Sequence, residues 1–311
     1  MRLSTSARHA SSDGGILVFG GPDYDAPPLG PPGSVLASSA PSVSRPGSAG
    51  GAAGGAHTSY RGPTPGCATL RQRTFAPLPG AVAEAHEIRD LWARQSPAGR
   101  GGRGEFKELV GREADESTFK SLAPGYRILH VATHGFFADD ACAESPGGPA
   151  PADGSAQQAE QRIVEDNPLL FSGLVFTGAN KREDPAARRG LDDGMLTAEE
   201  IASLDLRGVD WAVLSACGTG IGPVETGEGV MGVRRTFQIA GARSVIMSLW
   251  AVDDHAAREW VRRLYEARLA GSSTTEAVRD AGLALLAARR QAGVTTHPFF
   301  WGAFVAAGDW R

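Results

Sequence analysis

Two side chains in this sequence can do nucleophilic chemistry together, His134 and Cys217. Each sits at the carboxyl end of a short apolar run: Tyr126-Arg-Ile-Leu-His-Val-Ala132 leads to His134, and "WAVLSAC" ends in Cys217. An imidazole can take a thiol proton, and the resulting thiolate attacks a carbonyl carbon. Gly135 and Gly218 flank the pair without side-chain bulk, so backbone N–H groups near them are available to an oxyanion. A plainer reading stays open on the residues alone: Cys217 as a buried thiol at a strand end, since free cysteine is among the most buried residue types.

The elements that must position these residues follow from periodicity. Runs of four to eight apolar and β-branched residues bounded by turn residues read as strands: "ILVFG" at 16–20, 126–132, "PLLFSGLVFTG", 211–217, "SVIMSLWAV" and "GAFVAAG". Between them lie helical patterns. Val82, Ile88, Leu91 and Trp92 share one helix; Val230, Val233 and Phe237 share another. Two further amphipathic helices carry Trp260, Leu264 and Leu269, then Ala277, Leu283 and Leu286. "FKELVGREADESTFKSLAPG" reads as strand, turn and a short helix begun by Asp115 or Ser117, and Thr197 with Glu200 fits a capping box. Strands alternating with helices predict an α/β fold, a mostly parallel sheet covered on both faces. In such a sheet the carboxyl ends of the strands share one edge, where ligands bind. His134 and Cys217, far apart in sequence, can therefore meet.

Two stretches break this pattern. Residues 27–65 are Pro, Gly, Ser and Ala with few large apolar side chains, and 139–166 is a second polar stretch. Neither can repay the entropy of ordering by burying a core, so the expectation is a low-complexity insertion and a loop insertion within one domain over 15–311, preceded by a disordered 1–14.

Composition excludes several function classes. A net charge of -4 over 311 residues, with 21% charged, gives no basic excess for nucleic acid or an anionic membrane surface. The cysteines, Cys67, Cys142 and Cys217, form no disulfide framework. No signal-peptide core or membrane-length apolar run is visible, so a cytoplasmic protein is expected. The glycines of "GTGIGPVETGEG" lack the G-K-[ST] of a phosphate loop, and Pro223 stands where a G-x-G-x-x-G pattern needs its last glycine. His130 and His134 form H-x-x-x-H without the glutamate of a zincin and on a strand rather than a helix. No metal and no cofactor is expected.

Several blocks, in one order, carry a family resemblance: "YRILHVATHGFF", "NPLLFSGLVFTGAN", the long block from "DDGMLTAEEIASLDL" through "VLSACGTGIGPVETGEGVMG" to "SVIMSLWAVDD", and "HPFFWGAFVAAGDW". The sequence resembles the CHAT domain family, caspase-like cysteine peptidases related to separase; "ILVFGGPDYD" and "LPGAVAEAHEIRDLW" resemble its amino-terminal part. The resemblance implies a caspase-like fold and cysteine endopeptidase activity on a protein substrate, in a regulated bacterial signalling or defence context. It places the catalytic histidine on His134, the nucleophile on Cys217, and the oxyanion hole on Gly135 and the Cys217 backbone. It also implies a substrate pocket acidified after the "LW" strand, at Asp254 with Asp253 beside it. Against that stands helix capping by the same two residues, and Glu225 and Glu228 read mainly as solvated charges. The family's members commonly follow tetratricopeptide or other sensor repeats, which makes a repeat protein the expected regulatory partner. The alternative is a non-catalytic CHAT scaffold that binds a partner protein. In the charged loop "KREDPAARRG", residues Lys181, Arg182, Arg188 and Arg189 are a candidate self-cleavage site.

Overall fold

The computed structural model describes residues 14–31, 60–61, 73–95, 104–137, 168–184, 192–216 and 232–309. Strand β1 (Ile16–Pro22) is followed by the two-residue β2 (Tyr60–Arg61), helix α1 (Pro79–Gln95), β3 (Phe106–Gly111), α2 (Glu116–Leu122), β4 (Ile128–Ala132) and β5 (Gly135–Phe137). Then come β6 (Ser172–Val175), β7 (Met195–Thr197), α3 (Ala198–Ser203), β8 (Trp211–Leu214), α4 (Gly232–Ile239), β9 (Ser244–Ser248) and β10 (Val252–Asp253). Helices α5 (Asp254–Leu269) and α6 (Thr274–Gln291) and strand β11 (Phe304–Gly308) complete the chain.

Six strands form one sheet in the order β11-β9-β8-β4-β1-β3. All its pairings are parallel except β11 with β9. Alternation along the strands sends successive side chains to opposite faces. Leu17 and Phe19 of β1, Leu129 and Val131 of β4 and Ala212 and Leu214 of β8 enter one core with Phe119 of α2, Ile201 of α3 and Phe237 of α4. Ile16, Val18, Trp211, Val213 and Ile246 enter the other, with Ile88 and Trp92 of α1, Trp260 and Leu264 of α5 and Leu285 of α6. Helices thus cover both faces of a mostly parallel sheet, the architecture expected of a caspase-like α/β fold.

Local chemistry explains where the elements begin. Asp115, not Ser117, caps α2, its carboxylate accepting from the Thr118 N–H at 2.9 Å. Such a cap contributes about 1 kcal/mol. The Thr197/Glu200 capping box forms as the spacing predicts, and a second, Ser273 with Glu276, starts α6.

Three expectations change. Leu283 is 50% exposed; the buried stripe of α6 is Ala277, Ala281 and Leu285, four residues apart, on the face that packs chiefly against α5. The run "PLLFSGLVFTG" opens with a 3₁₀ turn over Pro168–Phe171 and only then becomes β6. The 27–65 stretch is not featureless at its ends: the Gly30 N–H donates to Asp115, and β2 pairs antiparallel with β10.

Candidate active site

β4 delivers His134 to the carboxyl edge of the sheet. Immediately beyond it the chain turns into β5, which joins β6 and β7 in a separate three-stranded sheet. The Val175 N–H donates to the His134 carbonyl at 2.9 Å, anchoring the histidine backbone at the junction of the two sheets. This bond also fixes Gly135. In an antiparallel pair a bond from the residue after Leu174 to the residue before Gly135 makes Gly135 and Leu174 a non-hydrogen-bonded pair. The Gly135 N–H therefore lies on the side of β5 away from β6.

His134 stands at the carboxyl end of its strand, as the sequence predicts, and is buried there, 6% exposed. It stands beside the rings of Tyr24 and Phe75, with centroids 5.3 and 5.7 Å away. Its Nε2 lies 2.8 Å from the Ala76 carbonyl oxygen. A carbonyl only accepts, so Nε2 carries the proton and, in the neutral ring, Nδ1 carries the lone pair. The contact with the Ala76 carbonyl thus fixes which face of the ring turns toward the loop that follows β4.

Residues that sequence reasoning missed hold the Ala76 carbonyl in place. Asn180 grips the backbone of Phe75 from both sides: Oδ1 accepts from its N–H at 2.8 Å and Nδ2 donates to its carbonyl at 3.0 Å. Arg182 donates to the Arg73 carbonyl at 2.8 Å. Tyr24 closes the other wall, its hydroxyl 3.0 Å from Thr133 Oγ1. Thr133 spends its one proton on the Val175 carbonyl, so Tyr24 is the donor. Nothing in "ANKRED" distinguishes these roles from those of a solvated charged loop. Arg182 is buried, and burial lowers its pKa against the pull of Glu183 and Asp193. It is therefore not the accessible cleavage site its charge suggested; Arg188 and Arg189 lie outside the described residues.

β8 pairs with β4 in parallel, Leu214 opposite Val131, and the Ser215 N–H donates to the Val131 carbonyl at 2.9 Å. Ala216 is buried at the same edge as His134. Cys217, the next residue in the chain, lies outside the described residues, as do Gly218, Glu225 and Glu228.

Asp253 and Asp254 have separate positions. Asp253 is the N-cap of α5, accepting from the Ala256 N–H at 3.0 Å. Asp254 is the first residue of that helix and is 6% exposed. Its carboxylate lies over the first turn of α1, so close that a Cβ on Gly80 would stand 1.8 Å from Oδ2. Two helix N-termini converge there, each favouring negative charge. The segment Ala76–Gly80 thus links the acceptor of His134 to the neighbour of Asp254.

His130 and His134 do not share surroundings. His130 points into the α1/α5 core, where Nε2 lies 2.8 Å from Glu84 and Nδ1 lies 3.2 Å from the Tyr265 hydroxyl. Burial pushes the Tyr265 hydroxyl well above its ordinary value, with the nearby Glu84 adding to the shift. Among the described residues no group of three His, Cys, Asp or Glu side chains is placed to hold a metal ion.

The CHAT domain profile matches residues 1–309. This chain belongs to the CHAT domain family. Tetratricopeptide repeat protein 28 of Homo sapiens is 24% identical over 242 residues, covering 78% of this chain and 9% of that protein. Its Mus musculus counterpart is 25% identical over 243 residues, with the same coverage. This CHAT chain therefore spans about a tenth of the length of the curated relatives it matches. No helix among the described residues of the CHAT domain is long and apolar enough to cross a membrane.

Proposed function

We propose that this CHAT domain is a cysteine endopeptidase using His134 as base and Cys217 as nucleophile. The observation that carries the reading is the bond from His134 Nε2–H to the Ala76 carbonyl, which orients the imidazole at the carboxyl edge of the sheet. Ala216 reaches that edge on the strand paired with β4, and Cys217 follows it in the chain.

The Cys217 thiol gives its proton to His134 Nδ1, and the thiolate forms a bond to the peptide carbonyl carbon. The carbonyl oxygen gains the electron pair and is met by the N–H groups of Gly135 and Cys217. Collapse breaks the C–N bond, and the amine leaves with the proton from the imidazolium. Water, deprotonated by the same Nδ1, then releases the acid and restores the thiol. Tyr24 and Phe75 flank the ring and shield it from bulk solvent.

Asp254 is the residue we assign to charge recognition of a Lys or Arg side chain before the cleaved bond. It is buried where two helix N-termini meet and favour negative charge, whereas Asp253 spends its carboxylate on capping. A tetratricopeptide repeat region is the proposed regulatory partner, since the human and mouse relatives carry that name and are far longer than this chain. The deciding test is reaction with a peptide electrophile and hydrolysis of Arg-containing peptides by wild type, Cys217→Ala and His134→Ala. Labelling of Cys67, Cys142 and Cys217 at equal rates in the folded protein would refute an activated nucleophile and leave a binding scaffold.

A further inference from the structure

A cleft of about 180 Å³ opens at the amino-terminal edge of the sheet, at the opposite ends of β4 and β8 from His134. Arg127 precedes β4, Asp210 precedes β8, Arg243 precedes β9, and Arg268 closes α5. Asp309 enters from the end of β11. Arg127 pairs with Asp210; Arg243 lies 3.3 Å from Asp210 and 2.7 Å from Asp309. Among the described residues lining the cleft, three guanidinium groups face two carboxylates, an excess of one positive charge.

That charge is localised on Arg268. Its guanidinium lies 4.7 Å above the centroid of the Trp211 ring, and Trp211 is itself fixed by its Nε1–H donating to Thr274 Oγ1 at 2.9 Å. A guanidinium has five N–H donors, and Arg268 uses one, to the Ser272 carbonyl at 3.2 Å. It is half-buried and forms no ion pair with Asp210 or Asp309. Burial lowers its pKa, and the attraction of Asp210 does not offset this. A half-buried cation held rigidly on an indole with donors to spare is a site awaiting an anion.

We propose that this cleft binds one phosphate group, free or as the monoester of a small molecule, with Arg268 and Arg127 as its principal donors. Arginines reach the cleft from three separate elements, which suits a tetrahedral oxyanion better than a planar carboxylate, and the guanidinium fork matches phosphate oxygens in pairs. The volume exceeds several waters at about 30 Å³ each yet falls below the roughly 300 Å³ at which pockets for drug-sized ligands begin. The site is independent of the peptidase reading, because nothing in it touches His134 or Ala76.

The test is calorimetric titration of the full chain with inorganic phosphate and, separately, with glycerol 3-phosphate, in sodium chloride of matched ionic strength. Saturable one-to-one binding of either, weakened at least tenfold in Arg268→Gln, is the expected result. Tighter glycerol 3-phosphate supports a monoester ligand, and tighter inorganic phosphate supports the free ion. Heat no greater than that of matched sodium chloride, or unchanged affinity in Arg268→Gln, would overturn the proposal. If Arg268→Gln does not fold, Arg127→Gln on the opposite wall carries the same criterion, and unchanged affinity there overturns it equally.

Discussion

His134 Nε2 donates to the Ala76 carbonyl oxygen at 2.8 Å, and this single bond decides which ring nitrogen can act as base. If Nδ1 takes the Cys217 proton, His134→Ala should lower kcat/KM for peptide hydrolysis by about 10²–10⁴-fold, the usual contribution of a positioned general base. Cys217→Ala should remove the preferential label, leaving only slow modification of Cys67 and Cys142. Steady-state hydrolysis and intact-mass measurement of labelled protein check the two; an active His134→Ala protein would remove the histidine from the mechanism.

Asn180 acts on the same bond from a distance, through the Phe75 backbone. Asn180→Ala removes both hydrogen bonds to Phe75 and should lower kcat about tenfold with little change in KM, because misplacing a reacting group costs rate rather than binding. A substitution that merely loosens the fold would lower the melting temperature at unchanged kcat. Full kinetics beside thermal unfolding separate these results.

Gly80 and Asp254 provide a specificity test. Asp254→Asn keeps the shape and removes the charge, while Gly80→Ala puts a methyl group where the carboxylate now lies. Both should lower turnover of Arg peptides about tenfold or more relative to uncharged ones, leaving the rate of Cys217 labelling by a small electrophile nearly unchanged. Loss of stability with unaltered selectivity would assign Asp254 to holding α1 against α5.

Tyr265 supplies a hydroxyl to the buried His130 ring, whose other nitrogen faces Glu84. Tyr265→Phe would leave Nδ1 buried without that hydrogen-bond partner, at a cost of about 1–3 kcal/mol. Chemical denaturation should show this loss while peptide hydrolysis at saturating substrate stays within about twofold, since His130 lies in the α1/α5 core rather than at the candidate site.

Glu116 sets a pH dependence. Burial pushes its carboxyl up to about 8, against the pull of Lys120, whose Nζ lies 2.6 Å away. Lys120 is also shared with Asp192 and Glu200; burial lowers its pKa, but hydrogen bonds to Glu116 and Glu200 outweigh that and raise it. One ammonium is shared by three carboxylates, so it offsets only part of the burial that disfavours ionisation of Glu116. A carboxyl with a raised folded-state pKa contributes stability that is complete below its ordinary value, near 4.5, and is lost as pH rises through about 8. Wild type should therefore lose stability relative to Glu116→Gln across that window. Denaturant midpoints measured from pH 5 to 9 check it, and a gap that does not change with pH would mean Glu116 is ionised throughout.

What the sequence determined by itself was local or periodic. The alternating apolar runs specified strands buried on both faces, the Thr197 and Glu200 spacing specified a helix start, and the motif blocks specified the family, because each is readable within a few residues. It also marked His134, since a histidine followed by glycine after a core strand is a local pattern. Only the tertiary structure decided the tautomer of that histidine, because its partner is a backbone carbonyl, a group every residue carries and no sequence pattern distinguishes. The same holds for Asn180 and Arg182, whose roles depend on a loop more than a hundred residues from the segment they clamp. Asp253 and Asp254 are chemically identical neighbours, yet one caps a helix and the other is buried over Gly80, a division made by where α1 and α5 meet rather than by either side chain.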